Sequence, residues 1–363
     1  MVDHEQYMRR CLELAQKGLG MVQPNPMVGS VVVHGGRIIG EGFHTAAGEP
    51  HAEVEAIRSV NDKHLLREST LYVNLEPCDH TGKTPPCTRL IIESAIPRVV
   101  VGQVDPNPLV AGGGLQRLQS AGVEVTRGIL EAESRFLNRR FNCFHEKKRP
   151  YVILKWAETR DGFIDRIRTT ESGQPPAWIT DEVCRKLVHK WRTEESALLV
   201  GAETLIKDNP RLNVRVWSGR NPVRIALGKR LSALYYREVP QTEAGITNTY
   251  PYHLLDGTQP TLIFSDTEGP ENQNPGFIRI DFGQAVWPQV LNELYVREIQ
   301  SVIVEGGHQT LQSIIDENLW DEARIFVGPL SFHEGIPAPL LHREASGEEK
   351  VGNSILRIVR SDA

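Results

Sequence analysis

No apolar run in the 363-residue chain approaches the length needed to span a bilayer, so a membrane partner is not expected. Met1-Val2-Asp3-His4-Glu5-Gln6 carries neither a basic nor an apolar signal segment, which argues against export. Low-complexity tracts and disorder-type composition are missing as well. The chain has no long Lys/Arg stripe and a formal charge of −5, whereas a dedicated nucleic-acid binder carries a basic footprint. Cysteine is scarce and odd in number, with five residues, so no disulfide framework is read from it. Cytoplasm is the expected compartment, since thiols stay reduced there. What remains is an ordinary globular composition, long enough for two domains that each bury a core.

Against that plain background one constellation stands out. His51-Ala52-Glu53, read with Pro77-Cys78 and Pro86-Cys87, supplies one imidazole, two potential thiolates and a carboxylate that need not bind metal. Catalytic zinc commonly takes three protein ligands and leaves a fourth position open, and its bound water ionises near neutral pH. H-x-E followed by P-C-x-x-C is the signature of zinc-dependent nucleobase deaminases. Here the two cysteines are separated by eight residues, Asp79 to Pro86, so the short spacing is stretched into a loop. His51, Cys78 and Cys87 are the candidate ligands and Glu53 the candidate proton carrier. Two other readings stay open at this point: inert buried thiols, or a closed structural site with His80 as fourth ligand.

Four motifs in order make the pattern specific. They are Pro24-Asn25-Pro26-Met27-Val28-Gly29, Gly48-Glu49-Pro50-His51-Ala52-Glu53, the run from Leu75 to Cys87, and Asp105-Pro106-Asn107-Pro108-Leu109-Val110-Ala111-Gly112. Together they resemble the bifunctional deaminase/reductase family of riboflavin biosynthesis. The resemblance implies a cytidine-deaminase-like three-layer α/β domain followed by a dihydrofolate-reductase-like α/β domain. It also implies that the Pro24-Asn25-Pro26 loop lines the deaminase pocket, with Asn25 bonding substrate, and that the protein is a homo-oligomer.

Residue patterns agree with alternating strands and helices. Met8, Cys11, Leu12, Ala15 and Leu19 recur at helical spacing, and Gly18 and Gly20 close that helix. Val31 to Val33 and Arg37 to Ile39 flank His34-Gly35-Gly36, a hairpin signal. Pro50 is placed to start a helix through Ile57. In mid-helix, side chains two apart diverge by about 200°, but at a first turn His51 and Glu53 can converge. Strands are expected at 70–75 and 98–102, and helices at 88–95, after Gly112-Gly113-Gly114, and at 131–144. The charged break Glu146-Lys147-Lys148-Arg149-Pro150 sets the boundary, giving domains at 1–146 and 150–363.

Tyr151 to Ala157 reads as a largely apolar strand leading into the turn Thr159-Arg160-Asp161-Gly162. A helix containing Arg192 is capped by Thr180 or Asp181. A strand at 198–201 precedes Thr204, Asp208-Asn209-Pro210 and Leu212-Asn213-Val214-Arg215, and Ser301 to Val304 leads into Glu305-Gly306-Gly307. The resemblance implies that Glu158, Trp178, Thr204, Asp208 and Gly307 touch NADPH, while Arg192, Leu212, Arg215 and Glu305 hold substrate. Arginine suits the second task because its planar fork binds phosphate bidentately. Glycines at a helix start likewise suit a diphosphate. Glu158-Thr159-Arg160 departs from the family pattern of a small residue and a serine. Residues 229–260 yield no pattern beyond an insertion or hairpin.

The expected cofactors are Zn2+ and NADPH, and the expected partner is a phosphoribosyl pyrimidine. Glu53 would take a proton from the attacking water and return it to departing ammonia. Hydride would then pass to C1 of the ribosylamino group, in a ring-opened imine, giving a ribityl chain. The principal alternative is a deaminase whose C-terminal domain is inactive or only binds substrate. A nucleic-acid or free-nucleoside deaminase with an unrelated C-terminal binding domain and a zinc-stabilised structural module are further alternatives.

Overall fold

The computed structural model describes residues 3–80, 85–108, 110–168, 177–233, 241–242, 245–246, 252–269 and 274–361. It divides into two compact units, Met1–Arg149 and Pro150–Ala363.

In the first unit, helix α1 (His4–Gln16) starts at Asp3, whose side chain accepts from the Glu5 amide, and buries Met8, Cys11 and Leu14. Strands β1 (Gly29–His34) and β2 (Arg37–Phe43) pair antiparallel. Gly35 and Gly36 both adopt positive φ, 55° and 76°, as a tight hairpin turn of this hand requires. Then follow α2 (Ala52–Ser59), β3 (Thr70–Leu75), α3 (Cys87–Glu93), β4 (Arg98–Gln103), α4 (Gly113–Ser120) and β5 (Glu124–Arg127). The sheet order is β2-β1-β3-β4-β5, with β3, β4 and β5 parallel. Its inner strands β1, β3 and β4 are buried on both faces, while β2 and β5 are partly exposed edges. Tyr72 and Val100 pack toward α1, while Leu71, Val73, Val99 and Val101 join the core containing Ile57 and Ile91. That is the three-layer arrangement the alternation predicts.

The helix expected over 131–144 is instead two, α5 (Glu131–Leu137) and α6 (Arg139–Lys147). It breaks at Asn138, whose side chain serves a tertiary purpose. Asn138 Oδ1 accepts from Met27 N at 2.8 Å and its Nδ2 donates to Met27 O at 3.0 Å. Asn74 adds a second clamp, donating to Met27 O at 3.0 Å and accepting from Gly29 N at 2.8 Å. Two buried amides thus fasten the backbone just beyond Asn25.

The second unit comprises β6 (Tyr151–Glu158), β7 (Phe163–Asp165), α7 (Glu182–Glu194), β8 (Ala197–Gly201), α8 (Ala202–Asp208) and β9 (Val223–Leu227). After it come β10 (Gln241–Thr242), β11 (Gly245–Ile246), β12 (Thr261–Ser265), β13 (Gly276–Arg279), α9 (Val286–Val296), β14 (Ser301–Val304) and α10 (His308–Asp316). The unit closes with β15 (Glu322–Val327), β16 (Ile336–Pro337), β17 (Gly347–Val351) and β18 (Ser354–Arg360). Among the described residues nine strands form one sheet in the order β13-β12-β9-β8-β14-β6-β15-β18-β17. All its pairs are parallel except those involving β18. Asp181 is the α7 cap, accepting from Cys184 N. Within 229–260, β10 and β11 pair antiparallel and His253–Leu255 makes a single 3-10 turn. The expectation for 234–240, 243–244 and 247–251 lies outside the described residues.

Asn138→Ala should strand the buried Met27 amide without its acceptor. A loss of roughly 1–3 kcal/mol is expected, read as a lower urea midpoint at unchanged slope.

Candidate active site

Three donors from three elements meet in the first unit. His51 is the N-cap of α2, in extended backbone at φ −74° and ψ 162°. It therefore escapes the helical angular divergence and faces the same place as Glu53 in the first turn. Cys78 follows the end of β3, and Cys87 opens α3. His51 Nδ1 lies 3.5 Å from Cys78 Sγ and 3.3 Å from Cys87 Sγ. All three ligand atoms fall within 4.8 Å of one another. Tetrahedral zinc with ordinary Zn–S and Zn–N lengths separates such atoms by roughly 3.6 Å, so the donor set fits the ion. His80 is exposed and stands outside this group, leaving the site three protein ligands among the described residues.

The electrostatics suit metal and proton transfer alike. A hydrogen bond from the Cys87 thiol, with help from His51, holds Cys78 far below the usual thiol range, while Cys87 is pushed up by the same pairing. A metal takes sulfur as thiolate, the form that Cys78 already favours. Hydrogen bonding to Cys78 raises His51. Glu53 is buried, and burial together with the charge at Cys78 pushes its carboxyl up to about 7. A carboxyl so placed exchanges a proton near neutrality.

Asn25 does not stand alone beside this site. Its Nδ2 donates to His44 Nε2 at 2.9 Å, and His44 Nδ1 donates to the Pro50 carbonyl at 3.1 Å. The His44 ring meets His51 edge-on with centroids 5.5 Å apart. Burial keeps His44 below its ordinary value, which suits the neutral tautomer these bonds need. Sequence reasoning missed His44, because nothing in its spacing ties the end of β2 to the ligands.

A cavity of about 540 Å³ opens in the second unit. It gathers seven of the nine residues expected there: Trp178, Thr204, Asp208 and Gly307, together with Arg192, Arg215 and Glu305. Gly307 caps α10, and a Cβ on it would lie 3.6 Å from Thr204 Oγ1, so two strand–helix turns sit side by side. Such paired turns and a helix N-terminus suit a dinucleotide phosphate group. Asp208 pairs with Arg168 at 2.8 Å. Arg192 binds Glu305 at 2.7 Å and the Asn213 carbonyl at 3.1 Å, yet Arg192 Nε and Glu305 Oε1 are buried with no partner among the described residues. Orphaned polar atoms of this kind await a polar ligand.

Two expected residues lie off the lining. Glu158 turns its carboxylate to Trp156 Nε1 at 2.8 Å. Leu212 is buried in left-handed backbone at φ 49°, its carbonyl accepting from Gln259. Lys155 and His189 are lining residues that the sequence patterns did not single out. Lys155 projects from β6 into the cavity, and burial and Arg192 hold its ammonium below the ordinary range. A lone charge inside Tyr151-Val152-Ile153-Leu154-Lys155-Trp156 was the available signal. His189, one turn before Arg192, accepts from Arg215 N at 3.4 Å through Nδ1 and is lowered to about 4 by burial and nearby cations.

Comparison with known proteins joins the two sites. The cytidine and deoxycytidylate deaminase zinc-binding region matches residues 1–103, and the RibD C-terminal domain matches 150–335. The chain is 45% identical over 345 residues to riboflavin biosynthesis protein RibD of Synechocystis sp., covering 93% of this chain and 88% of that one. For RibD of Aquifex aeolicus the identity is 40% over 334 residues, covering 91% and 88%. A crystal structure of a diaminohydroxyphosphoribosylaminopyrimidine deaminase/5-amino-6-(5-phosphoribosylamino)uracil reductase from Thermotoga maritima superposes with TM-score 0.84. It is 39% identical, and the match covers 98% of both chains.

The chain belongs to the RibD family. It is thus a zinc-dependent deaminase joined to an NADPH-dependent reductase of riboflavin biosynthesis, built on a cytidine-deaminase-like and a dihydrofolate-reductase-like domain. No helix among the described residues is long and apolar enough to cross a membrane.

The raised Glu53 carboxyl has a measurable consequence in metal-free protein. Its folded value of about 7 exceeds the reference value of 4.5, so the folded state holds the proton more tightly. Stability should fall as pH rises between those values, by up to roughly 1.4 kcal/mol per unit. Glu53→Gln should remove that fall. Urea midpoints in chelator from pH 4.5 to 8 report it.

Proposed function

We propose that the first unit hydrolytically deaminates 2,5-diamino-6-ribosylamino-4(3H)-pyrimidinone 5′-phosphate and that the second reduces the ribosyl group of the product to ribityl. The observation that carries the reading is the donor triangle of His51, Cys78 and Cys87 beside the buried carboxyl of Glu53. His51, Cys78 and Cys87 hold zinc. When bound, zinc supplies the Lewis acidity that makes water a nucleophile at neutral pH. Glu53 accepts the proton of the attacking water and returns it to the departing ammonia at the amine-bearing carbon. Asn25, presented by the clamped Met27 backbone and oriented by His44, bonds the pyrimidine.

In the second unit, NADPH supplies the hydride delivered to C1. Trp178, Thr204, Asp208 and Gly307 bind it, and Glu158 contributes through the β6 backbone, since its side chain is engaged with Trp156. Arg192, Arg215 and Glu305 orient the phosphoribosyl substrate, with Leu212 shaping the segment that presents Arg215. Lys155 holds a proton beside the Arg192–Glu305 pair, and its lowered ammonium suits donation as the sugar ring opens. This fills the place of the acid that the sequence patterns left unnamed. Family membership and composition support a cytoplasmic homo-oligomer that binds neither nucleic acid nor membrane. Light scattering of the purified chain tests the assembly.

Ammonia release and NADPH oxidation, followed separately on the diaminopyrimidine substrate, test the function. Wild type should release ammonia first and oxidise NADPH only afterwards. Glu53→Gln should release none, yet oxidise NADPH at the wild-type rate when given deaminated substrate. Ammonia without any NADPH oxidation would leave the C-terminal unit as a binding domain only.

Arg215→Ala removes a charged contact worth about 1.5–3 kcal/mol. The reductase KM should rise roughly 10- to 150-fold, with ammonia release unchanged, as steady-state kinetics on each half-reaction will tell.

A further inference from the structure

Two residues before Cys78 lies a buried carboxylate that the reaction does not use. Glu76 is 4% exposed, and its four hydrogen bonds among the described residues all come from backbone amides. Oε2 accepts from Asp105 N at 3.2 Å and Gly112 N at 3.0 Å. Oε1 accepts from Gly114 N at 2.9 Å and Leu115 N at 3.2 Å, in the first turn of α4. A carboxylate is acceptor-only, so it satisfies all four donors at once, and the helix N-terminus favours its charge. From the other side, a Cβ on Gly114 would lie only 2.0 Å from the Pro77 carbonyl oxygen, so helix and strand end abut with no room between them.

Cys78 is the next residue along this fixed post. Thr88 N donates to its carbonyl at 3.2 Å and Cys87 N to its sulfur at 3.4 Å. The segment carrying one ligand is therefore pinned at both ends, to α4 through Glu76 and to α3 through Thr88 and Cys87.

We propose that Glu76 is the positioning residue of the zinc site: by fastening the end of β3 to the start of α4, it sets Cys78 Sγ at ligand distance from His51 before metal arrives. The proposal rests on the zinc reading of His51, Cys78 and Cys87. Replacing one oxygen by an amide nitrogen would aim N–H at N–H and strand the two backbone donors that oxygen serves.

Co2+ titrated into the metal-free full-length chain provides the test, because its d–d bands report ligand geometry as well as affinity. Glu76→Gln should bind Co2+ about 10- to 100-fold more weakly than wild type, as losses of outer-shell partners do. Its saturated d–d bands should also be shifted. Wild-type affinity, or weakened affinity with wild-type bands at saturation, would overturn the proposal and leave Glu76 a purely structural role. A second measurement uses unmodified protein, should the variant not fold. Hydrogen exchange at Gly112, Gly114 and Leu115 should be equally slow with and without metal. Protection that appears only with metal would mean the ion organises the nest, and would likewise overturn the proposal. A wild type that binds no Co2+ would sink the zinc reading itself.

Discussion

The meeting of one nitrogen and two sulfurs depends on where backbone is allowed to stop being regular. His51 can face Cys78 and Cys87 because it caps α2 rather than belonging to it, and Cys87 can face them because it begins α3. Both helices start where parallel strand β3 ends, so their N-termini and the strand's last residues converge on one side of the sheet. That convergence is a property of parallel α/β topology. Once it is in place, a carboxyl one residue inside α2 must also be buried beside the donors, and its raised proton affinity follows from burial.

The same logic recurs in the second unit with different chemistry. Here β8 and β14 are neighbouring parallel strands, and each feeds a helix whose first residues border the cavity. Thr204 and Gly307 are brought together by this register, although about a hundred positions separate them in the chain. The Arg192–Glu305 pair then crosses from α7 to the end of β14. The donor and acceptor it leaves over among the described residues add to a lining already polar through Lys155, Asp208 and Arg215.

Much of the support is remote from chemistry. Asn74 and Asn138 spend buried amides on Met27, and Asn25 is presented two residues earlier as a result. The break between α5 and α6 is the local trace of that tertiary demand. A helix-compatible stretch yields where a side chain has stronger partners elsewhere.

Ligand types, the carboxylate between them, the order of two α/β domains and the apolar strands were legible in the sequence. Each depends on residue identity or on periodicity along a continuous segment. Asn25, Arg192, Arg215 and Glu305 were candidates only through resemblance, since isolated polar residues carry no periodic signal. His44, Lys155 and His189 became visible only in three dimensions, because the groups they meet come from other elements. The side-chain direction of Glu158, the enclosure of Leu212 and the helix break at Asn138 were likewise tertiary decisions. Local sequence dictates which groups exist and which elements form. Packing alone chooses which distant groups share a buried space, because burial and unsatisfied hydrogen bonds are costs counted over the whole fold.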